Sequence, residues 1–230
     1  MPHLQEADVT VERGASWEMH LGDCLDVMGG LVGVDHVITD PPYGLDFEGC
    51  AWDAVIPSDW LTLALAAAPT VVFTTAPTTM WDYPRPEWVC GWHRQAAQSR
   101  ATSGGFNHWS PILVYGKVKF PVDVFTLHAP GAASPKEVEH PSPKPIALMR
   151  WIVTHASASG SVVLDPFAGS GTTGVACLQL GRRFVGIEKD PTYFALCVER
   201  LRAEESNTTM QAARAGQASL FTRSTPKADP

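Results

Sequence analysis

Two short stretches carry residue types able to do chemistry together. In the first, Asp40, Pro41, Pro42 and Tyr43 follow directly on the apolar run Val37, Ile38, Thr39. Neither proline can donate a ladder hydrogen bond and each restricts the residue before it, so a strand must end at Asp40 and the chain beyond it stays extended and stiff. Such a loop presents one carboxylate, two free carbonyls and one aromatic ring. Taken alone it is equally a strand terminus, since Asp and Pro are ordinary turn residues. The second stretch, "DPFAGSGTTG" at 165–174, follows "SVVL" and opens a helical pattern. Its glycines let backbone approach a ligand closely at a helix N-terminus, "GSGTTG" matches GxGxxG, and Glu188 closes the next strand 17 residues after Gly171, near the distance at which a carboxylate binds ribose hydroxyls. An adenosine-containing ligand is implied. Asp165, four residues before Gly169, decides its charge: a carboxylate at the lip of the turn repels a pyrophosphate and holds a ligand with ammonium and sulfonium groups, as in S-adenosylmethionine. No GK[ST] follows, so a triphosphate loop is not indicated.

With both stretches in view the sequence resembles the amino-methyltransferases of DNA, the adenine-N6 and cytosine-N4 family. "DPPY" at 40–43 matches the catalytic motif and "DPFAGSGTT" at 165–173 the S-adenosylmethionine motif. "HPSPKP" at 140–145 matches the cofactor motif before it, and "IEKDPTYFALCVERL" the ribose-binding strand and following helix. "LGDCLDVMGGL" at 21–31 resembles the segment before the catalytic strand. The likeness covers most of residues 17–202. Catalytic motif first and cofactor motif second is the order of the beta group, which implies a circularly permuted, Rossmann-like α/β sheet with helices on both faces. In that order the early strand "WEMHL" neighbours the strand ending at Glu188.

The resemblance also implies roles. Asp40 and the Pro41 carbonyl accept hydrogen bonds from the target amino group, Pro42 stiffens the loop, and Tyr43 stacks on a base flipped out of the duplex. Asp165, Phe167, Gly169 and Gly171 surround the methionine moiety and Glu188 the ribose. Thr172 and Lys144 help at the cofactor carboxylate, and Asp23 either lies near the adenine or only forms a turn. "DPPY" favours adenine N6, with cytosine N4, RNA or a small amine as alternatives. A nicotinamide-dependent oxidoreductase has no role for "DPPY", and a non-catalytic nucleic-acid-binding module has none for Asp165 and Glu188.

The elements that must position these residues alternate strand and helix, the pattern of an α/β sheet with crossover helices. Strands are expected at "SWEMHL", "VDHVITD", "PTVVFTTA", "PILVYGKVKF", "SVVL" and the run into Glu188. Helices are expected at "SDWLTLALAAA", "IALMRWIVTHAS" and after the glycine-rich turn and Asp190. From 77 to 111 the periodicity fails and an irregular insertion is expected, rich in Trp and basic residues that suit phosphates and unstacked bases. Between "PILVYGK" and "HPSPKP" the target-recognition segment of the family has shrunk to 118–139. Residues 1–205 form one methyltransferase domain and 206–230 a flexible tail. In that tail Gln217, Leu220 and Phe221 resemble the pentapeptide that docks bacterial proteins on the replication sliding clamp.

Bulk properties bound the partners. A chain of 230 residues with 45% hydrophobic content suffices for one core of α/β size. The five cysteines (Cys24, Cys50, Cys90, Cys177 and Cys197) contain no CxxC pair, so neither a disulfide framework nor a thiolate zinc site is expected. "CGWH" at 90–93 lacks a second ligand pair, and no metal is expected. A net charge of −7 argues against coating nucleic acid by bulk electrostatics and leaves DNA binding to a local face. No apolar run approaches the roughly 20 residues of a membrane span and no signal core is visible, so a cytoplasmic location is expected.

Overall fold

The computed structural model describes residues 10–45, 56, 59–94, 108–127, 144–208 and 210. Among these, nine strands form one sheet in the order β1-β2-β9-β8-β3-β4-β6-β5-β7. The parallel centre consists of β2 (Trp17–Leu21), β9 (Arg183–Glu188), β8 (Val162–Asp165), β3 (His36–Thr39) and β4 (Val71–Thr74). β4 is buried at every position and β3 at all but its first, as expected for strands covered on both faces. β2 pairs in parallel with β9, Leu21 opposite Glu188, so the permuted sheet closes as the motif order implies. β1 (Thr10–Arg13), which no alternation announces, adds an antiparallel edge on β2.

Helices cover both faces. On one, α3 (Ile146–Ala156), α4 (Thr172–Gln179) and α5 (Pro191–Glu205) enclose a core of Met19, Ile38, Val72, Ile152, Phe184, Cys197 and Leu201. On the other, α1 (Cys24–Val27) and α2 (Trp60–Ala67) pack over Val37, Val71, Phe73, Leu164 and Ile187. α5 starts where Asp190 accepts from the backbone N–H of Thr192 at 2.7 Å and Tyr193 at 3.2 Å, with Pro191 in the first turn.

The region expected to be irregular is not so throughout. β5 (Trp88–Arg94) lies inside 77–111 and pairs antiparallel with β6 (Trp109–Tyr115), which itself pairs antiparallel with β4. β7 (Val124–Leu127) falls in the segment 118–139 and pairs in parallel with β5. Apolar side chains on both faces of β5 hide its period of two: Trp88 and Val89 are exposed while Cys90 and Trp92 are buried. Cys90 and His93 point to opposite faces of that strand, so they cannot close on one metal. Cys24, Cys90, Cys177 and Cys197 are buried free thiols. Cys50, Arg100, Phe106, the residues 128–143 and the tail residues 217–221 lie outside the described residues. No described helix is long and apolar enough to cross a membrane.

Candidate active site

The loops after β2, β9, β8 and β3 all leave the same edge of the sheet, the carboxyl ends of parallel strands, where open α/β sheets bind ligands. At the middle of that edge the two motifs meet. Thr39, the last residue of β3, donates its hydroxyl to Asp165 Oδ1 at 2.5 Å, and the same oxygen accepts from the Phe167 N–H at 3.0 Å. Thr39 is fully buried and Asp165 nearly so. The strand that carries Asp40 is thereby tied to the loop that begins at Asp165. Burial pushes the Asp165 carboxyl up to about 6, against hydrogen bonds from Thr173, Thr39 and Phe167 that favour its charge; nearby Asp40 raises it further.

Asp40 is held from three sides. The Tyr43 hydroxyl lies 2.8 Å from Asp40 Oδ1 and 3.1 Å from Thr74 Oγ1. The Thr74 hydroxyl, at the end of β4, donates to the same carboxylate oxygen. On the other oxygen, Lys144 Nζ sits 2.6 Å from Asp40 Oδ2 and 4.9 Å from the centre of the Tyr43 ring. Two residues named from the sequence make contacts here that the sequence did not announce. The Tyr43 hydroxyl turns in to Asp40, and Lys144 lies against its ring. Lys144 lies on the Asp40 carboxylate, because a partly buried anion attracts the nearest long cation. Burial would lower the Lys144 ammonium, but the Asp40 carboxylate overrides it and raises its pKa.

Around the glycine-rich turn each oxygen of Glu188 takes a backbone donor, Gly169 N–H at 2.8 Å on Oε2 and Asp190 N–H at 2.8 Å on Oε1. Burial raises this carboxyl too, with those N–H groups opposing it. Each oxygen keeps a lone pair for a further donor. The turn after β2 is brought to the same strand end, Gly22 N–H donating to the Glu188 carbonyl at 3.0 Å. Asp23 in that turn caps α1, accepting from the Leu25 N–H at 2.9 Å, which is the turn-forming alternative. Phe167 places its edge on Trp60, centroids 5.3 Å apart at 84°.

Gly171 has φ +80, and a Cβ there would come within 2.5 Å of Cys197 Sγ on α5. Helix packing alone therefore requires that glycine. Thr172 is likewise turned to α5: Arg200 Nη1 lies 3.3 Å from Thr172 Oγ1, 3.2 Å from Ser170 Oγ, and also donates to the Ser170 carbonyl. Sequence reasoning missed Thr39, Thr74, Trp60, Cys197 and Arg200. The threonines alone had a signal, a hydroxyl at the end of an otherwise apolar buried strand.

The pair Asp165 and Glu188 suits a cationic ligand. Among the described residues neither carboxylate has an ion-pair partner, and both are raised by burial. A positive group placed between the loops relieves that penalty, whereas a pyrophosphate deepens it. Described His, Cys, Asp and Glu side chains form no cluster able to hold a metal.

Comparison with known proteins bears on the family and the fold. Residues 93–199 match the family model described as DNA methylase. The chain is 30% identical over 206 residues to the putative methylase YubD of Escherichia coli K12, covering 79% of this chain and 88% of that one. It is 46% identical over 66 residues to the type II methyltransferase M2.DpnII of Streptococcus pneumoniae, covering 29% of this chain and 25% of that one. With the DNA adenine methyltransferase YhdJ of Escherichia coli K12 it shares 37% over 92 residues, 40% of this chain and 31% of that one. The chain thus spans a quarter to a third of the length of these last two. Among solved structures, the M1.HpyAVI–SAM complex superposes with a TM-score of 0.62 at 24% identity, covering 80% of this chain and all of that one, a likeness of fold. The sequence, the sheet and its nearly full-length likeness to YubD together show that this chain belongs to the DNA methylase family of amino-methyltransferases.

Proposed function

We propose that the protein transfers a methyl group from S-adenosylmethionine to an exocyclic amino group of a base in DNA, adenine N6 in preference to cytosine N4, and does so in the cytoplasm. The observation that carries this reading is the Thr39 to Asp165 hydrogen bond, which fuses a rigid amine-accepting loop to a loop suited to a cationic adenosine ligand. The adenine assignment is supported by "DPPY" and by the name of YhdJ.

When bound, the cofactor supplies an electrophilic methyl on a sulfonium; the rest is done by this chain. Asp165 and Glu188 offer the negative field and hydrogen-bond acceptors that favour its cationic end and ribose. An exocyclic amino nitrogen is a poor nucleophile because its lone pair is delocalised into the ring. Asp40 and the Pro41 carbonyl, accepting its two N–H bonds, favour a tetrahedral nitrogen whose lone pair faces the methyl. Tyr43 and Thr74 fix the Asp40 carboxylate for that task. No covalent enzyme intermediate is needed, consistent with the buried state of the four thiols among the described residues; burial pushes Cys24 up to about 12.

The test is incubation with tritiated S-adenosylmethionine and unmethylated bacterial DNA, followed by digestion to nucleosides and mass spectrometry. N6-methyladenine is the expected product, and Asp40→Ala should reduce its formation by several orders of magnitude. N4-methylcytosine overturns the base assignment. Label confined to RNA overturns the DNA assignment.

A further inference from the structure

Both oxygens of the Asp40 carboxylate are engaged by this chain's own side chains. One carboxylate oxygen is engaged by Tyr43 and Thr74 and the other by the Lys144 ammonium at 2.6 Å. Lys144 enters from the connection to α3, immediately ahead of Pro145, which caps that helix. Its Nζ presents N–H donors to a carboxylate and lies 4.9 Å from the centre of the Tyr43 ring. These are the contacts that the acceptor nitrogen of a methyl transfer requires: donation to Asp40, and the ring beneath a nitrogen that gains positive charge as the new bond forms.

We propose that Lys144 is an internal stand-in for the acceptor amine, occupying the place on Asp40 and against Tyr43 that the target amino group takes, and swinging aside when a base enters. This inference rests on the methyl-transfer reading above. Four methylenes give the ammonium the reach to leave while its backbone stays at the head of α3. The stand-in is not itself a methyl acceptor, because Asp40 keeps the Lys144 nitrogen protonated and its lone pair occupied by a proton. Two consequences follow for selectivity. An empty site stays organised, since Asp40 is never left as a lone half-buried anion. Only an amine presented with the binding energy of a flipped base displaces a charged competitor, so stray small amines are excluded.

The test compares wild type with Lys144→Met, which keeps the length and loses the charge, and Lys144→Arg, which keeps the charge. Methyl incorporation by the wild type into unmethylated bacterial DNA checks the underlying reading by itself, and its absence overturns both. Given incorporation, Lys144→Met should lower KM for that DNA at least fivefold, Lys144→Arg should stay within twofold of wild type, and calorimetry should find cofactor Kd within threefold of wild type in both. A KM for Lys144→Met equal to or above wild type overturns the stand-in, as does a tenfold weaker cofactor Kd, which returns Lys144 to the cofactor carboxylate. Should Lys144→Met melt early, reductive methylation with labelled formaldehyde decides on the folded wild type and Asp40→Asn. Lys144 should react at least tenfold more slowly than exposed Lys189 in the wild type and approach it in Asp40→Asn. Equal protection in the two proteins overturns the proposal.

Discussion

Tyr43 shows what a residue's type does and does not reveal. Its place in "DPPY" announced a ring beside a carboxylate, but not that the hydroxyl would be spent on that carboxylate and on Thr74. Among the described residues, removing it leaves Thr74 as the remaining donor to Asp40 Oδ1. Tyr43→Phe should therefore cost about 0.5 to 1.5 kcal/mol of transition-state stabilisation, read as a several-fold fall in kcat with cofactor Kd unchanged. A variant indistinguishable from wild type returns Tyr43 to stacking alone. Asp165 gives a second prediction, in pH. Its folded pKa, about 6, lies above the ordinary carboxyl value of about 3.9 in the unfolded chain. Below about pH 4 the group is neutral in both states. From about pH 4 to 6 the folded state binds the extra proton, so ligand-free stability falls as pH rises, and above about 6 the full loss is reached. Glu188 adds with the same sign. Subtracting the melting curve of Asp165→Asn from that of wild type isolates the first contribution, and a difference that is flat from pH 4 to 7 removes it. A cationic cofactor selects the charged form, so its affinity should fall as pH drops below about 6, by up to tenfold per pH unit.

Among the elements, the strands of the parallel centre were legible because they are short apolar runs cut off by Asp, Gly or Pro, and the helices because their caps and apolar stripes are local. β5 and β7 were not. The sequence of β5 has Gly91 at its middle and apolar side chains on both faces, and its strand form comes from pairing with β6 and β7, which lies in tertiary context rather than in propensity. The glycine-rich turn was legible as a turn, but its support was not: the sequence gives no hint that α5 presses Cys197 and Arg200 against it. That support is testable without any ligand. Gly171→Ala forces a left-handed backbone on alanine and drives its Cβ into Cys197. It should destabilise the cofactor-free protein by about 1 to 3 kcal/mol, and adding Cys197→Ala should restore part of the loss by removing the sulfur. An unaltered melting temperature in cofactor-free Gly171→Ala leaves only the ligand to explain the glycine.

Across the whole molecule, sheet register sorts residues that composition had grouped together. β6 runs antiparallel to β4, Thr74 opposite Ile112 and Val71 opposite Tyr115. Trp109 therefore lies at the Asp40 end of the sheet, and Lys117, just past Tyr115, at the other. β5 ends at the same edge, with His93 opposite Trp109 and Arg94 next in line. The guanidinium of Arg94 lies 5.2 Å from the centre of the Trp92 ring. A chain of net charge −7 cannot hold DNA by its overall field, so affinity must come from cations at the right edge. Arg94→Ala should weaken binding of duplex DNA about tenfold at low salt and flatten the dependence of log affinity on log salt by about one unit. Trp109→Ala, which removes a half-exposed ring at the same edge, should cost about 1 to 3 kcal/mol if that ring stacks on an unpaired base. Lys117→Ala is the control: exposed but at the far end, it should leave both affinity and salt slope within error. Fluorescence anisotropy with a labelled duplex at several salt concentrations measures all three, and a Lys117→Ala loss as large as that of Arg94→Ala would place the DNA on the opposite edge from Asp40.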